Sequence, residues 1–307
     1  MTGAAKGRVR VYEVGPRDGL QNELGIIATV DKRRFVEALL AAGLREIEAT
    51  SFVRADRIPQ LADADELLPS LPRPEGVRYP VLVANRTGLD RAAAAGADAI
   101  AVFTAATDAF AERNIGMTVE RSLEAFAPLL AEAGARGWWR RAYVSTAYGC
   151  PYSGRVQPSR PVEVAIRLMA LGADEVCFGD TIGVGVPGQV AELTGRAVEA
   201  GIPIEQIAQH FHDTRGTAVA NVSAALAAGV RTFDASTGGT GGCPYAPGAA
   251  GNLATEDLIY LLGGEGYEHG VDLDRLLDAA RLVAGLLARP LASKVGQAGG
   301  WSPVSEA

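Results

Sequence analysis

Short runs rich in branched and apolar residues alternate along this chain with longer runs whose apolar positions recur at helical spacing. The strand candidates are residues 8–14 (RVRVYEV), 46–50 (EIEAT), 79–85 (YPVLVAN), 99–105 (AIAVFTA), 140–146 (RRAYVST), 175–181 (EVCFGDT), 208–214 (AQHFHDT) and 232–236 (TFDAS). Between them, segments such as 31–43 (DKRRFVEALLAAG) and 118–135 (TVERSLEAFAPLLAEAGA) carry the period of a helix with one buried face. LLAAG, AAAAG, LMALG and LAAGV each place a glycine where a left-handed residue ends a helix, just before the next strand candidate. Eight such units without a polar linker predict an α/β fold, a closed (β/α)8 TIM barrel, as one catalytic domain over residues 1–307. ATEDLIYLLGGEG and DLDRLLDAARLVAGLL predict additional C-terminal helices. An open doubly wound sheet is the competing architecture, but no GxGxxG opens a helix after the first strand.

Composition narrows the partners. Of the 307 residues 48% are hydrophobic, enough for a large core, and the net charge of −7 is spread along the chain. Nucleic acid is thereby disfavoured, since binding phosphates requires a basic patch. No apolar run reaches membrane-spanning length, so no membrane partner is expected. The three cysteines form no CxxC pair, which argues against a disulfide framework or a structural zinc site and for a reducing compartment. MTGAAKGRVRVYEV reaches its first strand too soon for a signal peptide, so the expected location is cytoplasmic.

In a TIM barrel, functional side chains stand at the C-terminal ends of the strands. The polar residues of this chain gather there: EVGPRDGLQNE after strand one, Glu48 to Ser51 at strand two, GDT at strand six, HFHDT at strand seven and GGTGGCPYAPGAAGN after strand eight. Strand alternation puts His210 and His212 on one face and Phe211 on the other. Two of the three histidines therefore converge, either as metal ligands or as hydrogen-bonded core residues. Asp18 offers a hard anionic oxygen and Asn252 a neutral amide oxygen. Imidazoles and oxygens without a thiolate suit octahedral Mg²⁺ or Mn²⁺ better than zinc. Without the histidine pair, PRDG reads as an ordinary polar turn.

Arg17, beside Asp18, suits an enolate oxygen; its alternative is a surface ion pair. Glu48 and Asp180 end strands, where a carboxylate orients Arg17 or a histidine, or is structural. Cys177 reads as core packing, and Cys150, in GCPYSG, remains open. Cys243 lies in the glycine loop, where backbone amides and a nearby cation favour its thiolate. It reads as a mobile proton carrier or as an inert loop residue.

Together, EVGPRDGLQNE, SFV, GCPYSG, GDTIGVG, HFHDT, GGCPYA and GNLATEDL resemble, in order and spacing, the 3-hydroxy-3-methylglutaryl-CoA (HMG-CoA) lyase family over nearly the whole chain. HxH and RDG alone also occur in related barrel lyases, aldolases and acyl-CoA condensing synthases. The resemblance implies a divalent-metal-dependent retro-Claisen cleavage of HMG-CoA to acetyl-CoA and acetoacetate, by a homo-oligomer (a dimer or higher). It implies metal ligands at Asp18, His210, His212 and Asn252, and catalytic roles for Arg17, Asp18, Glu48, Asp180, His210 and Cys243. It further implies acyl-CoA contacts at Arg17, Gln21, Ser51, Asn114, Tyr143 and Thr181. Three positions depart from the family pattern: Thr240 stands for a common leucine, Phe211 for a cysteine and Arg215 for a tyrosine. They leave a longer 3-hydroxy-3-alkylglutaryl-CoA open as substrate. An aldolase or condensing enzyme on the same barrel is the enzymatic rival. A silent metal-binding barrel is the non-enzymatic one, and Arg17 weighs against it because holding a metal has no use for that cation.

Overall fold

The structure, a computed structural model, describes residues 6–242 and 250–301. Its main sheet is built from β1 (Arg10–Glu13), β2 (Glu46–Ile47), β3 (Thr50–Ser51), β4 (Val81–Leu82), β5 (Ala99–Ala105) and β6 (Trp139–Ser145). After β6 comes a small antiparallel hairpin, β7 (Gly149–Cys150) and β8 (Gly154–Arg155). The main sheet resumes with β9 (Glu175–Asp180), β10 (Ile207–Phe211) and β11 (Thr232–Ala235). Its order is β2-β1-β11-β10-β9-β6-β5-β4-β3, and all its pairings are parallel.

The two ends of that order are consecutive pieces of one segment. Between β2 and β3, the Glu48 amide donates to the Glu13 carbonyl (2.8 Å) on one side, and the Ala49 amide to the Pro80 carbonyl (3.3 Å) on the other. The sheet thus closes on itself through residues 46–51, as the repeat of the sequence predicts. All eight predicted strands are present, several of them trimmed. The predicted strand 79–85 is reduced to β4, because Pro80 has no N–H to give a neighbour and Asn85 already caps the next helix by accepting from the Gly88 amide (2.9 Å).

The outer layer consists of α1 (Thr29–Ala41), α2 (Ala64–Ser70), α3 (Arg86–Ala94), α4 (Asp108–Ile115), α5 (Val119–Ala135), α6 (Ser159–Ala170), α7 (Pro187–Glu199), α8 (Ala218–Ala227) and α9 (Thr255–Glu265). The predicted additional C-terminal helices correspond to α9 and α10 (Leu273–Leu287), and a short α11 (Lys294–Ala298) follows. Gly43, in LLAAG, takes a φ of +100°, the left-handed turn that ends α1 and aims the chain at β2.

Strand alternation divides the interior. Outward side chains such as Val81, Val144, Phe178 and Phe233 pack under the helices. Inward ones, including Leu82, Ala101, Tyr143, Cys177 and Ala208, fill the barrel itself. Parity therefore carries His210 inward with Ala208, while Phe211 turns out against Tyr148, their ring centroids 6.1 Å apart.

Candidate active site

The GPRDG segment leaves β1 as a wide π-helical turn, Gly15–Gly19, closed by the Gly19 amide on the Val14 carbonyl (3.1 Å). Such turns rotate side chains off the regular helical path. The polar-turn alternative for PRDG is half right, since the turn also faces the histidines. Its foot is the fully buried Glu13, whose carboxylate accepts from the Gly15 amide (2.9 Å), the Thr237 amide (2.8 Å), the Thr237 hydroxyl (2.9 Å) and the Thr255 hydroxyl (2.7 Å). Four donors offset the cost of burying that group and bind the first βα loop to the eighth. Gly19 packs so closely on Thr240 and Ser236 that any Cβ would collide with their hydroxyls. Gly241 (φ +89°) allows the same approach from the other side, where a Cβ would lie 2.6 Å from Asn252 Nδ2. Some glycines of the 238–252 loop are thus required by close packing at its base. Cys243 lies outside the described residues.

Beyond β10 the chain stays extended, and residues 251–253 run beside it. The Leu253 amide donates to the Phe211 carbonyl (2.9 Å) and the Asp213 amide to the Gly251 carbonyl (2.7 Å). This pairing sets Asn252 opposite His212. Asp18, His210 and His212 come together with one potential ligand atom each, all within 4.8 Å of one another. Asn252 Nδ2 donates to Asp18 Oδ2 (2.8 Å) and to the Thr240 carbonyl (2.9 Å). Asn252 Oδ1 and His212 Nδ1 are buried and have no hydrogen-bond partner among the described residues. Two orphaned acceptors beside a carboxylate and a second imidazole fit a cation, which would satisfy both.

His210 is oriented by Asp234, whose Oδ2 lies 3.2 Å from Nδ1, so Nε2 is the nitrogen left for other work. Burial lowers the His210 pKa, but Asp234 outweighs it and holds the group above its ordinary 6.5. Burial, with His210 alongside, pushes His212 down to about 3. Burial raises the Asp18 carboxyl, yet Arg17 and both histidines overcome this and hold it at about 2. Asp18 and His212 thus stand deprotonated at neutral pH, as ligands must be.

Arg17 is 6% exposed and belongs to no surface pair. Its Nε donates to Glu48, and its Nη1 to Asp18 Oδ1 (2.6 Å). Glu48 also accepts from Tyr12 (2.8 Å) and Tyr143 (2.9 Å), both on Oε2. It is fully buried and brackets Arg17. Gln21 donates to Asp18 Oδ1 (2.9 Å), and Tyr143 stands edge-on to the His210 ring, centroids 6.4 Å apart.

Other expected residues make contacts outside this cluster. Both Asp180 oxygens accept amides of the following loop, Val184 and Gly185 (2.9 Å each). Thr181 Oγ1 accepts from the Thr146 amide (2.8 Å). Ser51 is buried, its hydroxyl 3.4 Å from the Leu82 carbonyl. Asn114 is exposed on α4. Cys150 accepts from the Thr107 hydroxyl (3.1 Å) and from the amides of Tyr152 and Ser153 (3.4 Å each) in its hairpin. Cys177 is more than packing, since its thiol points at Asp234 Oδ2 (3.7 Å). The sequence reading missed Glu13, Asp234 and Arg141. Each is a charged residue inside a strand that alternation points inward, and that was the available signal.

A family model described as HMGL-like matches residues 8–283. The chain belongs to the HMGL-like family. The hydroxymethylglutaryl-CoA lyase of Pseudomonas mevalonii is 47% identical over 290 residues, covering 94% of this chain and 96% of that one. A crystal structure of a Bacillus subtilis HMG-CoA lyase superposes with a TM-score of 0.93 at 41% identity, covering 96% of this chain and 98% of that one. An Acinetobacter baumannii HMG-CoA lyase, solved with coenzyme A and 3-methylmalate, matches with a TM-score of 0.93 at 33% identity over the whole of both chains. Among the described residues no helix is long and apolar enough to cross a membrane.

Proposed function

We propose that this HMGL-like protein is a divalent-metal-dependent HMG-CoA lyase, cleaving (S)-3-hydroxy-3-methylglutaryl-CoA to acetyl-CoA and acetoacetate. The observation that carries this reading is the buried Arg17, held between Glu48 and Asp18 beside the Asp18–His210–His212 cluster. A cluster that only retained a metal would gain nothing from a buried guanidinium at its side. The named relatives and the coenzyme A complex point to the same acyl-CoA chemistry.

Asp18, His210, His212 and Asn252 would hold Mg²⁺ or Mn²⁺. A cation held there would supply a fixed positive charge beside the substrate's oxygens and would lower the hydroxyl pKa. The hydroxyl proton passes to Asp18 or His210. Because Asp234 engages Nδ1, His210 has one free nitrogen and serves either as ligand or as base, not as both. As the new ketone forms, the bond between C2 and C3 breaks and its electron pair moves into the thioester, giving an enolate. Arg17 meets the enolate oxygen with a guanidinium already desolvated and aligned. Cys243 delivers a proton to the enolate carbon, completing acetyl-CoA. Asp180 braces the loop after β9, and Gln21, Ser51, Asn114, Tyr143 and Thr181 face or flank the acyl-CoA. We place the active form in the reducing cytoplasm as a homo-oligomer; the free thiols of Cys150 and Cys177 are consistent with that compartment.

The test is acetoacetate release from HMG-CoA by purified protein with Mg²⁺, alongside longer 3-hydroxy-3-alkylglutaryl-CoA substrates. No product from any of them refutes the lyase reading. Cys243→Ala separates this enzyme from aldolases and condensing enzymes, which need no thiol acid in such a loop. Turnover should drop by orders of magnitude with metal binding intact, and unchanged turnover would refute the acid role.

A further inference from the structure

A fully buried guanidinium, Arg141 on β6, lies inside the barrel beneath the candidate site. Its Nη2 donates to Asp234 Oδ1 (2.6 Å), and the other oxygen of Asp234 engages His210 (3.2 Å). Its Nη1 donates to the Tyr143 hydroxyl (3.1 Å), which donates to Glu48 (2.9 Å), the carboxylate that grips Arg17. Its Nε is 3.0 Å from Glu175 Oε1, at ion-pair distance but outside hydrogen-bond alignment. The other Glu175 oxygen is taken by Arg10. Arg141 Cζ lies over the Tyr12 ring, 3.8 Å from its centroid, and 4.9 Å from the centroid of the Tyr143 ring. Arg141 thus has both Nη groups committed, its Nε facing Glu175 and two rings against it, which fixes its orientation.

We propose that Arg141 is a positioning residue that joins the two working halves of the site, fixing His210 through Asp234 and Arg17 through Tyr143 and Glu48. Stability does not explain this arrangement. TIM-barrel interiors are ordinarily filled with layers of branched apolar side chains, and such residues replace buried ion pairs at little or no cost. Two of the partners are not generic: Asp234 is one contact from His210, and Tyr143 reaches Arg17 through Glu48. A planar fork is needed, since one donor edge must reach Asp234 while another reaches Tyr143. Lysine offers a single point charge and cannot span both. The inference rests on the lyase reading for its turnover measurement only; its metal-binding measurement stands apart.

Arg141→Lys is the primary test, since it keeps the buried charge and removes the fork. We expect a folded protein whose affinity for Mn²⁺, titrated calorimetrically into the metal-free form, falls about 10- to 100-fold, the usual effect of losing a partner behind a metal-bound histidine. We also expect kcat with HMG-CoA to fall by more than KM changes, because Arg17 acts in the transition state. A folded Arg141→Lys protein with wild-type Mn²⁺ affinity and wild-type kcat overturns the proposal. If Arg141→Lys does not fold, Asp234→Asn and Tyr143→Phe test the branches singly. Asp234→Asn must weaken Mn²⁺, and Tyr143→Phe must lower kcat while leaving Mn²⁺ affinity alone. Wild-type affinity in the first or wild-type kcat in the second overturns it as well. If the wild-type protein cleaves neither HMG-CoA nor any longer 3-hydroxy-3-alkylglutaryl-CoA, the lyase reading fails, and Mn²⁺ affinity alone decides the role of Arg141.

Discussion

Replacing Arg17 by glutamine separates its two duties. The guanidinium holds two carboxylates: Glu48, which is fully buried, and Asp18, which is partly buried, through a 2.6 Å bond. Removing one partner of a buried ion pair costs about 3–5 kcal/mol when the remaining charge is abandoned. Here neither carboxylate is abandoned. Glu48 keeps the Tyr12 and Tyr143 hydroxyls, and Asp18 keeps Gln21 and Asn252. The loss should therefore sit near the lower end, about 3 kcal/mol, or about 5 °C in Tm for 307 residues. Catalysis should suffer more sharply. Losing a preorganised donor to a developing oxyanion costs about 100- to 1,000-fold in kcat. Because that interaction strengthens only in the transition state, kcat/KM should fall with kcat while KM moves little. The four proposed ligands are untouched, so Mn²⁺ affinity at pH 8 should stay within about tenfold of wild type. Steady-state kinetics, calorimetric Mn²⁺ titration and a thermal melt measure the three quantities. A folded Arg17→Gln protein retaining kcat within about fivefold would refute the enolate role.

Metal affinity should fall with acidity, and His210 sets the window. Burial lowers its pKa, but Asp234 raises it further, so below that raised value a proton competes with the cation. Mn²⁺ affinity should drop about tenfold per pH unit there, with proton release in calorimetry; a flat profile between pH 5 and 8 contradicts this. Glu256 accepts the Gly238 amide at the base of the glycine loop, and burial pushes its pKa up to about 8. Its folded pKa exceeds the ordinary 4.5, so its contribution is fully present below that value and is lost as pH rises through about 8. Glu256→Gln, which keeps an acceptor and cannot ionise, should lose less Tm than wild type between pH 6 and 9. Equal losses would show that Glu256 is not the group responsible. Asn252→Ala removes the donor that steadies Asp18 and the orphaned Oδ1, and should weaken Mn²⁺ about 10- to 100-fold; unchanged affinity would remove Asn252 from the ligand set.

The repeat and its ends are written in local pattern along the chain. Period-two and 3.6-residue patterns with glycine stops depend on local backbone geometry, so the eight strands and the helices, α1 and α5 among them, were legible without a partner in space. Alternation likewise fixed that His210 and His212 share a face and that Phe211 does not. What neighbours a side chain meets across the barrel is not local. Glu13 clamps loops drawn from opposite ends of the chain, and only strand order makes those loops adjacent. The same holds for Arg17, which read alone resembles a surface arginine. Closure of the sheet through residues 46–51 brings Glu48 under it, and the desolvated pair follows from that closure. Asp234, Arg141 and Glu175 are charges inside otherwise apolar strands. Their meaning lies in distances between residues tens of positions apart, which the barrel sets and no one-dimensional pattern records.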